Sequence, residues 1–195
     1  MIKAKYHFPS ASPGAILREE KKAGTALGLE ADKLTSQGKL VPDEIVNELV
    51  KRWLAKNDGA FVFDGYPRSM GQGEGLNDIL AARRAPLDVV LSLETDVATI
   101  RDRVNRRMMC SQCGTIVSVG WHIVSADAAC PTCGGELVKR RDDTPETLEL
   151  RMAEYGKKTE PLISYYANLG LLRAVDATRT PELVFQSIET ILEAE

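Results

Sequence analysis

The chain has 195 residues, of which 44% are hydrophobic and 27% are charged, and its formal net charge at pH 7 is −3. These values fit one α/β domain with a small insertion and leave no overall basic field for nucleic acid. No stretch reaches the roughly 20 apolar residues of a membrane span, and residues 1–8 contain no apolar signal-peptide core. We therefore predict a cytoplasmic monomer that binds neither nucleic acid nor membrane.

Helices are expected along the whole chain, from the spacing of apolar residues and from residues that begin or end helices. They cover residues 1–6, 14–24, 26–36, 42–54, 97–107, 145–166 and 181–193, and a further helix carries Gln72. Ser12 is a candidate N-cap for the second helix, and residues 7–14, with two prolines and a glycine, are expected to form a loop. Pro161 should kink or divide the helix that contains it.

Three short apolar stretches are predicted to be strands, and the first has the composition of a parallel strand covered on both faces. They are residues 60–63, 87–93 and 171–175. The first strand ends at Asp64, and Arg68 follows shortly after. Ligands of open α/β sheets bind beyond the carboxyl ends of strands, so this carboxylate and this arginine suit a charged ligand. The alternative is a surface ion pair in a loop.

Arginines are the second sign of an anionic ligand. Arg103 and Arg107 lie at i and i+4 on the helix predicted over residues 97–107, so they share a face. Like charges on one face are unfavourable unless an anion lies between them, although two solvated arginines near Asp102 are the alternative. With only two histidines and no Ser/His/Asp set, nucleophilic hydrolysis has little support. Several arginines and a strand-exit aspartate suit phosphoryl transfer, which mainly requires charge neutralisation and alignment of two substrates.

All four cysteines form two C-x-x-C pairs with sixteen residues between them. They are Cys110, Cys113, Cys130 and Cys133. The spacing matches a zinc-site pattern, in which thiolates around a tight turn supply two corners of a tetrahedron. With a β segment at residues 115–124, the two pairs predict a small zinc-clamped flap with arginines on both sides. Two disulfides or four unrelated buried thiols are the alternatives, and disulfides fit an intracellular chain poorly.

Taken together, these motifs resemble the adenylate kinase family in its long form with a zinc lid. The matching stretches are residues 17–19, 38–44, 64–68 with Gln72, the C-x2-C-x16-C-x2-C lid, residues 140–143, Arg151 and residues 161–166. The resemblance implies an α/β, P-loop NTPase-like fold, in which helices flank a parallel sheet and a small zinc-binding β lid is added. It also implies a core of residues 1–108 and 140–195, with residues 12–43 forming the AMP-binding part, and a lid of residues 109–139.

The resemblance further implies reversible phosphate transfer from ATP to AMP, giving two ADP, with Mg²⁺ on ATP and a structural zinc ion in the lid. The residues implied to bind AMP are Arg18, Lys39, Leu40, Val41, Gly65, Tyr66, Pro67, Arg68, Gln72, Arg140 and Arg151. Those implied to bind ATP are Arg103, Arg107 and Arg179, and the catalytic set is Arg68, Arg107, Arg140, Arg151 and Asp64. The lid would fold over ATP and exclude water.

Individual roles follow from the same resemblance. Arg18 and Arg68 would hold the AMP phosphate, and Gln72 would read the adenine edge through its amide. Arg103 would stack on the ATP base, which Arg179 would contact through its backbone. Asp64 would orient water molecules on Mg²⁺.

The sequence departs from the family at its start. The family begins with a strand and a G-x-x-G-x-G-K phosphate loop, and these 195 residues contain no such run. We expect the missing strand to be central, between the strands at residues 60–63 and 87–93, which leaves two unpaired edges. Either the native protein begins further upstream, or the chain is a truncated, non-catalytic relative that binds nucleotide.

Smaller departures affect the sites. Pro13 and Ala15 stand where the family has a hydroxyl and a carboxylate, which leaves the base specificity open. Met108 replaces a lid arginine, and residues 116–117 replace a Thr-Tyr pair that contacts ATP. A zinc-ribbon nucleic-acid module is the remaining reading of the cysteines, and the net charge of −3 argues against it.

Overall fold

The computed structural model describes residues 1–36, 41–140 and 143–194. The described helices are α1 (Ile2–Tyr6), α2 (Pro13–Lys22), α3 (Ala26–Ser36), α4 (Asp43–Ala55), α5 (Met70–Ala82), α6 (Val97–Arg106), α7 (Pro145–Glu154), α8 (Glu160–Asn168) and α9 (Pro181–Leu192). The strands are β1 (Ser10–Ala11), β2 (Val62–Phe63), β3 (Val90–Glu94), β4 (Arg107–Cys110), β5 (Ile116–Ser118), β6 (Leu137–Val138) and β7 (Leu172–Asp176). This mixed α/β architecture confirms the predicted fold class.

The strands β1 and β2 form a parallel pair in which Ser10 lies opposite Val62. The pairing continues into the next loop, because Asp64 N donates to Ala11 O at 2.9 Å. The prediction of a loop over residues 7–14 is therefore wrong where β1 lies. A strand of two residues leaves no periodic pattern in the sequence, and this one forms because a distant segment supplies its hydrogen-bond partners.

A separate two-stranded sheet is formed by β3 and β7. Val90 N donates to Leu171 O at 2.9 Å, and Ala177 N donates to Glu94 O at 2.7 Å. Residue numbers rise together along both strands, so this pair is parallel as well. Within the described chain, no strand joins the β1–β2 pair to the β3–β7 pair, as expected if the strand that the family places between them is not in this sequence.

Helix ends follow the local signals. The Ser12 side chain caps α2 by accepting a hydrogen bond from Ala15 N at 3.3 Å, which confirms that prediction. Pro161 lies in the first turn of α8, and a π-helical segment, Tyr155–Thr159, precedes that helix. The helix predicted over residues 145–166 is therefore divided, as the proline indicated, because proline cannot donate the hydrogen bond that a continuous helix needs.

The chain divides into two compact units, of which the first comprises Met1–Ser92, Tyr155–Arg173 and Phe185–Glu195. Its core lies between α2, α4, α5 and β2. The residues buried there are Ala11, Ile16, Val46, Leu49, Val50, Leu54, Tyr66, Leu76 and Leu80. Full burial of each large aliphatic side chain contributes about 1.5–3 kcal/mol, so this core fixes the position of the loop that follows β2.

The second unit comprises Leu93–Glu154 and Ala174–Val184. It contains a three-stranded antiparallel sheet in the order β5-β4-β6, in which Met108 lies opposite Val117 and Cys110 opposite Leu137. The small core beneath this sheet includes the buried Cys110 and Cys130. Among the residues that the structure describes, no helix has the length and apolar character of a membrane span.

Candidate functional site

The four cysteines lie together at the end of the antiparallel sheet, and their sulfur atoms are all within 4.8 Å of one another. The Sγ atoms of Cys110 and Cys133 are 3.5 Å apart, and those of Cys113 and Cys130 are 3.7 Å apart. A tetrahedral zinc ion with Zn–S bonds of about 2.3 Å would separate its sulfur ligands by about 3.8 Å. A disulfide would need about 2.05 Å, so the cluster fits a metal site and excludes the disulfide alternative.

Each C-x-x-C pair forms the same backbone turn. Gly114 N donates to Cys110 O at 3.0 Å, and Gly134 N donates to Cys130 O at 2.8 Å. Both glycines adopt positive φ angles, 73° and 74°, which residues with a Cβ rarely tolerate. The two turns place one buried and one exposed thiol each, so four donors face one point.

Contacts within the cluster shift the pKa values of its thiols in opposite directions. The Thr115 hydroxyl lies 3.2 Å from Cys113 Sγ, and its hydrogen bonding lowers the pKa of that thiol to about 6. For Cys133 the Gly135 N–H acts to lower the pKa, but the neighbouring thiols, Cys113 first, outweigh it and raise the pKa to about 12. Four cysteines with one ready thiolate match the donor set of structural zinc.

The loop after β2 is fixed by its own hydrogen bonds. Gly65 has a φ of 66°, and its carbonyl accepts from Arg68 Nε at 2.8 Å. A Cβ at Gly65 would lie 2.5 Å from Arg68 Nη2, so glycine is required for this approach. The Tyr66–Pro67 peptide bond is cis. Asp64, at the carboxyl end of β2, is exposed, so a ligand can reach both the carboxylate and the arginine that the sequence predicted.

The amide of Gln72 is held inside this loop. Its Oε1 accepts from Arg68 N at 2.8 Å, and its Nε2 donates to Asp43 Oδ1 at 2.8 Å. The other carboxylate oxygen of Asp43 accepts from Ser69 Oγ at 2.6 Å, and Ser69 is the N-cap of α5. The first turn of α4 thus fixes the first turn of α5.

A second bridge between the same helices supports Tyr66. Its hydroxyl donates to Asn47 Oδ1 at 2.6 Å, and Asn47 Nδ2 donates to Gly71 O at 3.0 Å. The tyrosine is 7% exposed, and burial raises its pKa well above the ordinary value. The loop is therefore tied to α4 at two points.

Glycines on α5 permit these close approaches. A Cβ at Gly71 would lie 3.0 Å from Asp43 Oδ2, and one at Gly75 would lie 2.1 Å from Asn47 Nδ2. On the side facing α8, a Cβ at Gly73 would lie 2.9 Å from Leu162 Cδ2. These alternating glycines are required by neighbouring helices and not by backbone angles.

Other residues predicted to bind AMP have fewer described contacts. Arg18 is exposed on α2, where a Cβ at Gly14 would lie 3.4 Å from its Nη1. Val41 packs against the core of the first unit. Lys39 and Leu40 lie outside the described residues.

In the second unit, two of the predicted arginines meet a buried carboxylate. Arg107 Nη1 lies 3.3 Å from Asp143 Oδ1, and Arg151 Nη1 lies 3.9 Å from the same oxygen. The Asp143 side chain is 0% exposed, and within the described residues its Oδ2 has no hydrogen-bond partner. Asp143 N donates to Arg140 O at 3.2 Å. Arg107 and Arg151, which are distant in sequence, thus meet at one aspartate, and Arg140 contacts it through its backbone carbonyl.

Arg103 and Arg179, both predicted to contact the ATP base, are also brought together. Arg103 Nη2 donates to Ala177 O at 2.5 Å and to Arg179 O at 3.1 Å. Its guanidinium lies over the Trp121 ring, 5.3 Å from the ring centroid. A cation–π contact of this kind is attractive and helps to hold the guanidinium group in place.

Sequence reasoning missed four side chains that position these groups. They are Asp43, Asn47, Trp121 and Asp143. Asp43 enters the sequence analysis only within the matching stretch of residues 38–44, and nothing local indicates that its partner Gln72 lies 29 residues away. The spacing of Arg140 and Asp143 within one short polar run is the one signal that could have drawn attention to Asp143.

Comparisons with known proteins place the chain among nucleotide kinases. The family model described as adenylate kinase matches residues 1–171. The chain is 39% identical to the adenylate kinase of Thermodesulfovibrio yellowstonii, with 97% of this chain and 89% of that protein covered. It is 37% identical to the adenylate kinase of Clostridium tetani, covering 100% and 91%, and 39% identical to that of Methanosarcina acetivorans, covering 96% and 87%.

Proposed function

Because this chain belongs to the adenylate kinase family, we propose that it transfers the terminal phosphate of ATP reversibly to AMP, giving two ADP, with Mg²⁺ bound to ATP. The observation that carries the proposal is the family match over residues 1–171. The gathered arginines and the loop after β2 support it, because phosphoryl transfer depends on positive charge and on positioning.

We assign charge neutralisation to four of the predicted arginines. The proposed set is Arg68, Arg107, Arg140 and Arg151. Arg107 and Arg151 share the carboxylate of Asp143, which offsets their mutual repulsion while no substrate is bound. A polyphosphate carries more negative charge than one carboxylate, so it can compete for both guanidinium groups.

We assign AMP to the first unit. Arg18 and Arg68 would bind its phosphate, Gln72 would read its base, and the backbone of residues 65–67 would line the nucleotide. Val41 would add apolar contact, together with Lys39 and Leu40. The fixed loop supports this assignment because a preformed site spends little binding energy on ordering itself.

We assign the ATP base to Arg103 and Arg179. The Arg103 guanidinium already lies over one aromatic ring, that of Trp121, and a guanidinium group can also stack on a purine ring. The carbonyl of Arg179 already serves as an acceptor, and an exocyclic amine is the kind of donor that could replace Arg103 there. These two groups suit an adenine base.

We propose that the cysteine cluster holds zinc as a structural ion and that Asp64 orients water molecules on Mg²⁺. Zinc would stiffen a lid of residues 109–139, and the core would comprise residues 1–108 and 140–195, with residues 12–43 forming the AMP-binding part. The four sulfur donors saturate a tetrahedral ion, so the zinc ion would have no open position for catalysis.

The test is a coupled assay of ADP formation from Mg-ATP and AMP by the whole chain. The Arg107→Lys variant keeps the charge but loses the planar fork that binds phosphate at two points, and we expect its kcat to fall about 100-fold. Arg101→Lys, at an exposed arginine of α6 with no assigned role, is the matched control and should stay within about twofold.

No ADP formation with any nucleoside monophosphate would refute the proposal. One sequence observation favours a second candidate, a relative that binds nucleotide without turnover: the 195 residues contain no G-x-x-G-x-G-K run. Calorimetry separates the two, since AMP binding without ADP formation supports the second candidate. Tight binding of Mg-ATP together with turnover excludes it.

A further inference from the structure

The Gln72 amide has one chemically allowed orientation. A carboxylate only accepts hydrogen bonds, so the Gln72 group that faces Asp43 Oδ1 at 2.8 Å is the NH₂. A backbone N–H only donates, so the group that faces Arg68 N at 2.8 Å is the carbonyl oxygen. Turning the amide over would place oxygen against oxygen and N–H against N–H. Both partners therefore specify the same orientation.

Asp43 is itself held firmly. It lies in the first turn of α4, whose inner residues Val46 and Val50 are buried. Its second oxygen accepts from Ser69 Oγ at 2.6 Å, and the glycine at position 71 lets the α5 backbone approach this carboxylate closely. A charged acceptor with both oxygens engaged holds its partners more strongly than a neutral one.

The nitrogen and the oxygen of the Gln72 amide can each make one further hydrogen bond. The Gln72 NH₂ has a second hydrogen, and the carbonyl oxygen has a second lone pair. A 6-aminopurine presents an acceptor at N1 beside a donor at N6, whereas a 6-oxopurine presents a donor at N1 beside an acceptor at O6. In one binding pose, an amide of fixed orientation matches only one of these two patterns, whereas an amide that is free to turn matches either.

We propose that Asp43 is a positioning residue that fixes the Gln72 amide and thereby selects 6-amino over 6-oxo purine monophosphates. The inference rests on the proposed function, in which Gln72 reads the base of AMP. Asp43 touches no nucleotide in this role, and its effect on selectivity passes entirely through the orientation of Gln72.

The experiment measures binding of AMP and of IMP to the whole chain by calorimetry, since these nucleotides differ only in the 6-amino or 6-oxo pattern. The wild-type chain should prefer AMP. In Asp43→Ala, the AMP Kd should rise about tenfold, which corresponds to about 1.4 kcal/mol, while the IMP Kd stays within about twofold. The AMP-to-IMP selectivity ratio then falls about tenfold.

Two control variants distinguish a loss of Gln72 positioning from a general weakening of the nucleotide site. Glu44→Ala removes the neighbouring charge from the same helical turn and should leave the ratio unchanged. Ser69→Ala removes the α5 cap and should weaken AMP and IMP binding equally, because the Gln72–Asp43 hydrogen bond remains. Asp43→Asn keeps the shape of the side chain and should lower the AMP-to-IMP selectivity ratio about threefold. This variant tests the inference if Asp43→Ala does not fold.

The role of Asp43 is refuted, and the proposed function is not, if the wild-type chain prefers AMP and the Asp43 variants keep the same AMP-to-IMP selectivity ratio. It also fails alone if Ser69→Ala lowers the ratio as much as Asp43→Ala does. A wild-type chain that binds neither AMP nor IMP overturns the proposed function and this inference together.

Discussion

The cysteine cluster and the loop after β2 are both small, polar sites fixed at the edge of a core, but they are stabilised in different ways. At the cluster, four sulfur atoms converge within 4.8 Å, and the two thiols on the outer side of the turns are exposed. In the loop, each buried or half-buried polar group already has a protein partner, as with Tyr66 and Gln72. The first site offers four donors that an ion could join, whereas the polar side chains of the second are already paired within the protein.

This difference predicts which perturbations change the stability of each region. Metal binding to a site formed from deprotonated ligands is coupled to folding, so the stability of the second unit should depend on zinc. The loop after β2 should be insensitive to chelators and sensitive to side-chain contacts between α4 and α5. Three experiments test this contrast.

The largest effect is expected from Cys130→Ser. The change removes a buried member of the proposed zinc site, and structural zinc sites contribute about 10 kcal/mol or more of apparent binding energy. If the proposal holds, zinc content should fall from one ion per chain to near zero, and the thermal unfolding of the second unit should become insensitive to a chelator. Ser111→Ala, which removes an exposed hydroxyl beside Cys110, is the control. Full zinc retention in Cys130→Ser would show that the four sulfurs do not form the site.

An intermediate effect is expected from Gly75→Ala. The new Cβ would lie 2.1 Å from Asn47 Nδ2, so the asparagine must move and release its hydrogen bonds to Tyr66 and Gly71. We expect a loss of about 2 kcal/mol in the free energy of unfolding, the same with and without chelator. This is opposite in sign to the usual gain of about 1 kcal/mol for Gly→Ala in a helix. A stabilised variant would mean that α4 and α5 are further apart.

The smallest effect is expected from Tyr66→Phe, with a cost of about 1 kcal/mol at neutral pH. Burial holds the folded-state pKa of Tyr66 above the ordinary value of about 10. The wild-type chain therefore keeps this contribution below about pH 10 and loses it as pH rises towards the folded-state pKa. Urea unfolding at about pH 9 and about pH 11 should show a shallower decline for the variant. An equal decline of the unfolding free energy with pH in both chains would indicate that the Tyr66 phenol is exposed to solvent.

Local signals predicted most elements and the whole metal cluster. The cysteine spacing, the Ser12 cap and the proline at position 161 each act through residues a few positions away, so the sequence alone carries the information. The strand β1 was missed because its partners come from β2. The role of Asp43 was missed for the same reason, since the residues that it orients lie beyond an entire helix and strand.

The contacts of the site residues were likewise beyond what local sequence signals could predict. Resemblance indicated that the arginines matter, but only the folded chain shows Arg107 and Arg151 at one buried carboxylate and Arg103 stacked on an indole. Side-chain contacts between distant segments depend on the packing of the elements that carry them. No spacing within a single segment can specify such contacts.

The glycines at the start of α5 have a kinetic consequence. Each of Gly71, Gly73 and Gly75 costs a helix about 1 kcal/mol relative to alanine, so the first turns of α5 are weak on their own. Their helical form depends on α4 and α8 being in place. We expect the amide protons of these turns to exchange faster than those around Leu76 and Leu80, which are 1% exposed. The end of α5 that carries Gln72 is thus expected to open before the rest of the helix.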